Sequence, residues 1–168
     1  QASRVSADQT MENDAVSSAR ELLKKGSGTI HFTGAGGVGM AGLCFLLKAR
    51  GFTVSGCDSE EGRFSTWLKN QGINVVIGHD PSHVAGCDLI VKTAAIPADS
   101  EEIRQAVTGE IPVITRGRML PLLLEGRRSV AIGGTHGKTT TTTFITLLCR
   151  HAGLNPSWCI GGEPPGLE

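Results

Sequence analysis

A short apolar run, Thr29–Thr33, breaks into Gly-Ala-Gly-Gly-Val-Gly at 34–39 and passes directly into Met40–Arg50, an apolar stretch of helical spacing closed by Gly51. This strand–turn–helix constrains the fold more than any other feature of the chain. Gly34, Gly36 and Gly39 satisfy G-x-G-x-x-G, whose first glycine permits a tight turn, whose second lets a diphosphate approach the backbone and whose third allows the helix to pack close to the strand. The helix start then offers free N–H groups and the positive end of its dipole to an anion. Nineteen positions after Gly39, at the end of the next apolar run, stands Asp58. A carboxylate there can accept hydrogen bonds from ribose hydroxyls. The bland alternative is a turn that binds nothing, with Asp58 capping the following helix.

The alternation continues along the chain. After Thr53–Gly56 the spacing predicts a helix at Arg63–Gln71, a strand at Asn74–Ile77, a short turn or helix at Pro81–Ala85 and a strand at Leu89–Thr93. Then follow a helix at Ser100–Val107, a strand at Pro112–Thr115, a helix at Met119–Glu125 and a strand at Ser129–Ile132. Strands alternating with helices at this spacing imply a parallel sheet with helices on both faces. Ahead of them, Met11, Ala15, Val16, Ala19, Leu22 and Leu23 mark a leading helix that ends in Lys24, Lys25 and Gly26.

A second glycine loop lies about a hundred residues beyond the first. Gly-Gly-Thr-His-Gly-Lys-Thr-Thr-Thr-Thr at 133–142 sits between the predicted strand Ser129–Ile132 and an apolar helix, placing Lys138 and Thr139 where a phosphate-binding loop carries its lysine and its metal-binding hydroxyl. The strict G-x-x-x-x-G-K-[ST] register fails, because Ile132 stands where the first glycine belongs. The backbone from Gly134 to Lys138 can still form an anion nest. A dehydrogenase needs one dinucleotide turn and has no use for the second loop. An ATP-dependent ligase acting on a nucleotide-linked substrate needs both.

Composition narrows the classes further. Sixteen basic residues balance sixteen acidic ones, so no global field draws the chain to nucleic acid or to an anionic membrane. Aromatics are 4%, without tyrosine, which leaves few faces on which single-stranded bases could stack. No apolar run reaches eighteen residues and the first ten residues are polar, so neither a membrane span nor an export signal is read. Cys44, Cys57, Cys87, Cys149 and Cys159 contain no C-x-x-C pair, which fits reduced thiols in a cytoplasmic protein and argues against a cysteine metal cluster. His31 reads as packing on its strand, His79 as a surface histidine in a turn, and Asp99, Ser100, Glu101 and Glu102 as a solvated helix start.

Ile-His-Phe-Thr-Gly-Ala-Gly-Gly-Val-Gly-Met-Ala-Gly at 30–42, Ser-Gly-Cys-Asp at 55–58, Gly-His-Asp at 78–80, Thr-Ala-Ala-Ile-Pro-Ala-Asp-Ser-Glu-Glu-Ile at 93–103, Pro-Val-Ile-Thr-Arg-Gly-Arg-Met-Leu at 112–120 and Gly-Thr-His-Gly-Lys-Thr-Thr-Thr-Thr at 134–142 together resemble the Mur ligases. Within that family the likeness is greatest to the branch that adds L-alanine to UDP-N-acetylmuramate in peptidoglycan synthesis. It runs from about Thr29 to Gly162. The resemblance implies a Rossmann-like parallel sheet with helices on both faces, followed by the first strand–loop–helix of a P-loop ATPase domain. Its division would be an extension with the leading helix at 1–28, a UDP-sugar-binding domain at 29–126 and the start of an ATP-binding domain at 127–168.

Family chemistry implies that ATP phosphorylates the muramoyl carboxylate and that the amine of alanine attacks the acyl phosphate. Gly34, Ala35, Gly36, Gly37, Val38 and Gly39 would hold the diphosphate, while Asp58, His79 and the turn Thr93, Ala94, Ala95 and Ile96 would border the uridine. Gly134, Thr135, His136, Gly137, Lys138, Thr139 and Thr140 would bind ATP. Lys138 would act on the phosphates as the catalytic residue, and Thr139 would hold Mg2+. Two departures stand out: Ala94 lacks the hydroxyl common in this turn, and Arg118 replaces an acidic or amide residue. Thirty residues follow Lys138, too few for the rest of an ATPase domain or for an alanine-binding domain. The expectation is an N-terminal fragment that binds the UDP-sugar without catalysing, with 129–168 available for self-association. An NAD(P)-binding module and a fragment of the related murein-peptide-recycling ligase are the alternatives.

Overall fold

The computed structural model describes residues 2–162 and 166–167, with side chains from Gln9 onward. It divides into two compact units between Glu125 and Gly126. In the first, five strands form one parallel sheet: β1 (Thr29–Thr33), β2 (Thr53–Asp58), β3 (Asn74–Ile77), β4 (Leu89–Lys92) and β5 (Val113–Thr115). Their spatial order is β3-β2-β1-β4-β5. The order reverses between β1 and β4, so the connections leaving those two strands diverge and open a crevice at their carboxyl ends.

Helices α2 (Val38–Ala49), α3 (Arg63–Asn70) and α4 (Glu101–Thr108) and a 3-10 turn (Pro81–Val84) connect the strands, while α1 (Ala2–Lys25) precedes β1 and α5 (Arg116–Leu124) follows β5. Strand alternation sorts the core into two layers. Ile30 and Phe32 of β1, Val54 of β2 and Leu89 and Val91 of β4 share a buried cluster with Met40, Leu43, Cys44 and Leu47 of α2 and Met119 and Leu123 of α5. On the other side, Ile90 packs with Val84, Ile103 and Ala106, from the 3-10 turn and α4. Ala15, Val16, Leu22 and Leu23 of α1 pack on the first cluster and Ala19 is buried in it, so the leading helix is part of this core. Arg118 has a structural partner there: its guanidinium meets Glu12 of α1 at 2.8 Å, while Arg20 meets Glu125 at 3.0 Å.

The second unit contains α6 (Lys138–His151). The expected strand at 129–132 is not formed, and 158–160 forms none either. Strand geometry needs a neighbour to take its N–H and C=O groups, and none of the described residues pairs with either segment. Helix α6 forms because its hydrogen bonds are internal.

Candidate functional site

The glycine turn is held from beneath by β2. Gly34 and Ala35 both donate their N–H groups to the Cys57 carbonyl at 2.9 Å, and Gly36 donates to Asp58 Oδ2 at 2.7 Å. Asp58 therefore supports the turn itself in this state, rather than standing apart from it. Gly34 has φ +83°, and a Cβ there would lie 2.5 Å from Thr93 Cγ2. Only glycine meets both demands. At the far end Gly37 is the N-cap of α2, so the N–H groups of Val38 and Gly39 open the helix and point beyond its end.

Thr93–Ile96 closes the other side of the crevice. The Thr93 N–H bonds to the Thr33 carbonyl at 3.2 Å, Ile96 N–H returns to Thr93 at 3.2 Å, and Lys92 Nζ holds the Ile96 carbonyl at 2.7 Å. Ala94 and Ala95 are exposed at the tip of that turn. The structure thus brings Gly34–Gly39, Asp58 and Thr93–Ile96 together at the switch point. Arg116, not singled out by the sequence reading, also belongs here. Its guanidinium lies 2.6 Å from where a Gly39 Cβ would be, which puts an exposed cation beside the start of α2. Arg116 directly follows β5, the edge strand beside β4, and a cation placed directly after a strand is the signal that could have found it.

His79 lies elsewhere. Its Nδ1 is 3.3 Å from Cys57 Sγ and 3.1 Å from Glu102 Oε2, on the side of the sheet covered by α4. Glu102 is not a solvated helix residue as the sequence suggested: it is 1% exposed. Its carboxylate accepts from His83 Nδ1 at 2.9 Å, from Asp80 N–H at 3.2 Å and from Cys57 Sγ at 3.2 Å. Burial alone would raise its pKa, but the His83, Cys57 and Asp80 donors and the charge of His79 outweigh it and hold the carboxyl below the ordinary range. Burial, reinforced by Glu102, pushes the Cys57 thiol up. His31, also buried, is pushed down to about 4, chiefly by desolvation.

The second loop is built differently. Gly137, at φ +76°, is the N-cap of α6, and Thr141 N–H closes the first helical turn on its carbonyl at 2.9 Å. Lys138 Nζ folds back over the loop onto the carbonyls of Gly134 at 2.6 Å and Thr135 at 3.1 Å. Residues 133–140, His136, Thr139 and Thr140 among them, are exposed. A left-handed glycine before a helix start, with a lysine at the rim, fits a polyphosphate: backbone N–H groups face the anion and the ammonium can exchange its two carbonyl contacts for phosphate oxygens. Among the described residues no helix is long and apolar enough to cross a membrane.

Comparisons with known proteins agree with this geometry. The model for the Mur ligase family, catalytic domain, matches residues 29–128. The chain is 42% identical over 134 residues to the UDP-N-acetylmuramate--L-alanine ligase of Leptothrix cholodnii, covering 80% of this chain and 29% of that one. It is 41% identical over 144 residues to the enzyme of the same name from Aquifex aeolicus, covering 86% and 31%. Among solved structures, the UDP-N-acetylmuramate-alanine ligase of Thermotoga maritima superposes with a TM-score of 0.77 at 31% identity, over 84% of this chain and 33% of that one. The UDP-N-acetylmuramate:L-alanyl-gamma-D-glutamyl-meso-diaminopimelate ligase of Neisseria meningitides gives 0.79 at 32%, over 84% and 45%. The chain spans about three tenths of the length of these curated relatives. With the family match covering well over half of the chain and the crevice in place at the switch point, these residues belong to the Mur ligase family and correspond to its N-terminal region.

Proposed function

We propose that the first unit binds UDP-N-acetylmuramate and that the second carries the phosphate loop of the ATP used to activate it, in the addition of L-alanine during peptidoglycan synthesis. The observation that carries this reading is the crevice itself: the glycine turn lies between Asp58 and Thr93–Ile96, at the carboxyl ends of β1, β2 and β4. The diphosphate would rest on Gly34–Gly39 at the start of α2, with Arg116 adding positive charge. Uridine would lie between Asp58 and the Thr93–Ile96 turn; His79, which the sequence reading also set beside it, is turned toward Cys57 and Glu102 instead. Both solved neighbours are named for UDP-N-acetylmuramate, so this substrate is common to the alanine-adding and the peptide-recycling readings. The names of the curated relatives support alanine as the acceptor.

Gly134–Thr140 would hold the ATP phosphates, with Lys138 as the cation that follows the transferred group and Thr139 offering its hydroxyl to Mg2+. Bound Mg2+ would supply neutralisation of the phosphate charge. No residue of this chain is assigned to L-alanine, so binding without turnover is expected of it alone. The protein would be cytoplasmic, where its nucleotide substrates are made. Phe144 and Leu148 of α6 are 61% and 66% exposed, which supports self-association through 129–168. A concentration-dependent mass in light scattering is the expected result; a strict monomer with fast hydrogen exchange across 138–152 would count against it.

Calorimetric titration of the chain, separately with UDP-N-acetylmuramate, NADH and Mg-ATP, tests the main reading. Saturable binding of the UDP-sugar without NADH binding is expected. NADH binding with no response to the UDP-sugar would replace it with a dinucleotide-binding module.

A further inference from the structure

His31 of β1, Cys57 of β2, His83 of the 3-10 turn and Glu102 of α4 come from four separate elements and place one ligand atom each within 4.8 Å of one another. His31, Cys57 and Glu102 are 2%, 0% and 1% exposed. A sheet face covered by a helix ordinarily presents apolar side chains to it. Here β1 and β2 instead turn His31 and Cys57 inward, toward a carboxylate and a second imidazole.

One nitrogen in this cluster has no partner. His31 Nδ1 is engaged by the Ser55 hydroxyl at 2.9 Å, while Nε2 is buried without any hydrogen bond among the described residues. A buried polar atom left unpaired costs about 1–3 kcal/mol, and a free imidazole nitrogen on a residue that offers a ligand atom within 4.8 Å of a thiol, a second imidazole and a carboxylate is one that a metal could take. The Ser55 contact is the outer hydrogen bond that fixes the ring of a metal-bound histidine.

We propose that His31 Nε2, Cys57 Sγ, His83 Nδ1 and Glu102 form a buried four-coordinate site for a divalent transition cation of the Zn2+ class. The donor set is one sulfur, two imidazoles and one carboxylate, which selects zinc-like ions over Mg2+ or Ca2+. Glu102 Oε1 lies 2.9 Å from His83 Nδ1 and 3.2 Å from Cys57 Sγ. Tetrahedral donors at zinc bond lengths stand roughly 3–4 Å apart, so a set spread over at most 4.8 Å closes on an ion by side-chain adjustment. Charge also balances: a carboxylate and a thiolate neutralise the dication in a pocket that could not hold a net charge cheaply. On binding, Cys57 gives up its thiol proton to solvent and His83 passes its Nδ1 proton by way of solvent to Nε2, so that the hydrogen bonds both make to Glu102 are exchanged for bonds to the ion. His79, with Nδ1 at 3.1 Å from Glu102 Oε2 and its side chain 34% exposed, stands at the outer edge as the way in.

The site is independent of the nucleotide reading, and its test uses the metal alone. Metal-stripped chain is titrated with Co2+, whose thiolate charge-transfer band and tetrahedral ligand-field bands report a sulfur-containing site, and the complex is then challenged with Zn2+. Saturable bands that Zn2+ abolishes are expected. They should vanish in Cys57→Ser, weaken by about tenfold or more in affinity in His83→Asn, and persist when the exposed Cys159 and the half-buried Cys149 are replaced by serine. His83→Asn changes a 3-10 turn outside the sheet and keeps a polar side chain beside Glu102, so it remains informative if Cys57→Ser does not fold, with circular dichroism confirming the fold of each variant. Absence of the charge-transfer band, its persistence in Cys57→Ser, its unchanged affinity in folded His83→Asn or its loss in the Cys149/Cys159 variant would each overturn the site and leave a metal-free hydrogen-bonded cluster or a surface thiol.

Discussion

The two glycine turns differ in what holds them. At Gly34–Gly36, three successive N–H groups are tied to β2 through the Cys57 carbonyl and the Asp58 carboxylate, and the Thr93 methyl presses on the turn from the β4 side. At Gly134–Gly137 the contacts are local: a left-handed glycine, the first turn of α6, and a lysine bonded to carbonyls three and four residues behind it. The first turn is a property of the sheet, and the second of a helix start. On the proposed reading, sheet-borne anchoring would present a rigid receptor for a substrate that must be positioned. On the same reading, local anchoring would leave Lys138 able to trade its carbonyls for phosphate.

That contrast breaks most readily at the glycines with positive φ. Gly34→Val adds a left-handed penalty of about 1–2 kcal/mol to overpacking of about 1–3 kcal/mol against Thr93. Urea unfolding should show both, with UDP-sugar binding abolished. Gly137→Val has the same backbone penalty but nothing within 4 Å of its Cβ, so only about 1–2 kcal/mol is expected. Equal losses at the two positions would mean that the turns are held alike.

Asp58→Ala removes a charge-assisted bond to the turn at 2.7 Å. A loss of about 1.5–3 kcal/mol in unfolding free energy is expected, with weaker UDP-sugar binding in calorimetry. An undiminished stability would show that the Cys57 carbonyl suffices. Lys138→Ala sharpens the comparison from the other side. Its two carbonyl contacts are exposed, so stability should stay within about 0.5 kcal/mol while Mg-ATP affinity falls steeply. The smallest effect belongs to Gly133→Ala, where no atom lies within 4 Å and φ is not in the left-handed region. Thermal unfolding and both affinities should be unchanged.

Much of the first unit is legible from its sequence because its signals are local. Short apolar runs gave β1–β5 to within two residues, and the glycine spacing marked the first turn and pointed to Asp58, while Thr93–Ile96 came only from the resemblance to the Mur ligases. The misses share a cause. Glu102 reads as a helix-start acid because two acidic neighbours and a serine precede it, yet its position on α4 turns it beneath the sheet. Arg118 reads as a departure without a role, and its partner Glu12 is more than a hundred residues away. Ser129–Ile132 has strand composition but no partner strand among the described residues.

Although α1 and α5 begin earlier than their apolar spacing suggested, by itself the sequence determined where the helices end, where the backbone must turn through glycine, and that two glycine turns follow strand-like segments. These depend on hydrogen bonds, steric limits and side-chain periods spanning a few residues. Only the tertiary structure decided which strand lies beside which, and hence that Cys57 and Asp58, adjacent in sequence, face different neighbours. Cys57 joins His31, His83 and Glu102 beneath the sheet, while Asp58 supports the turn above its edge. Such meetings depend on strand order and register, which arise from packing the whole apolar surface at once and leave no mark in any short stretch of chain.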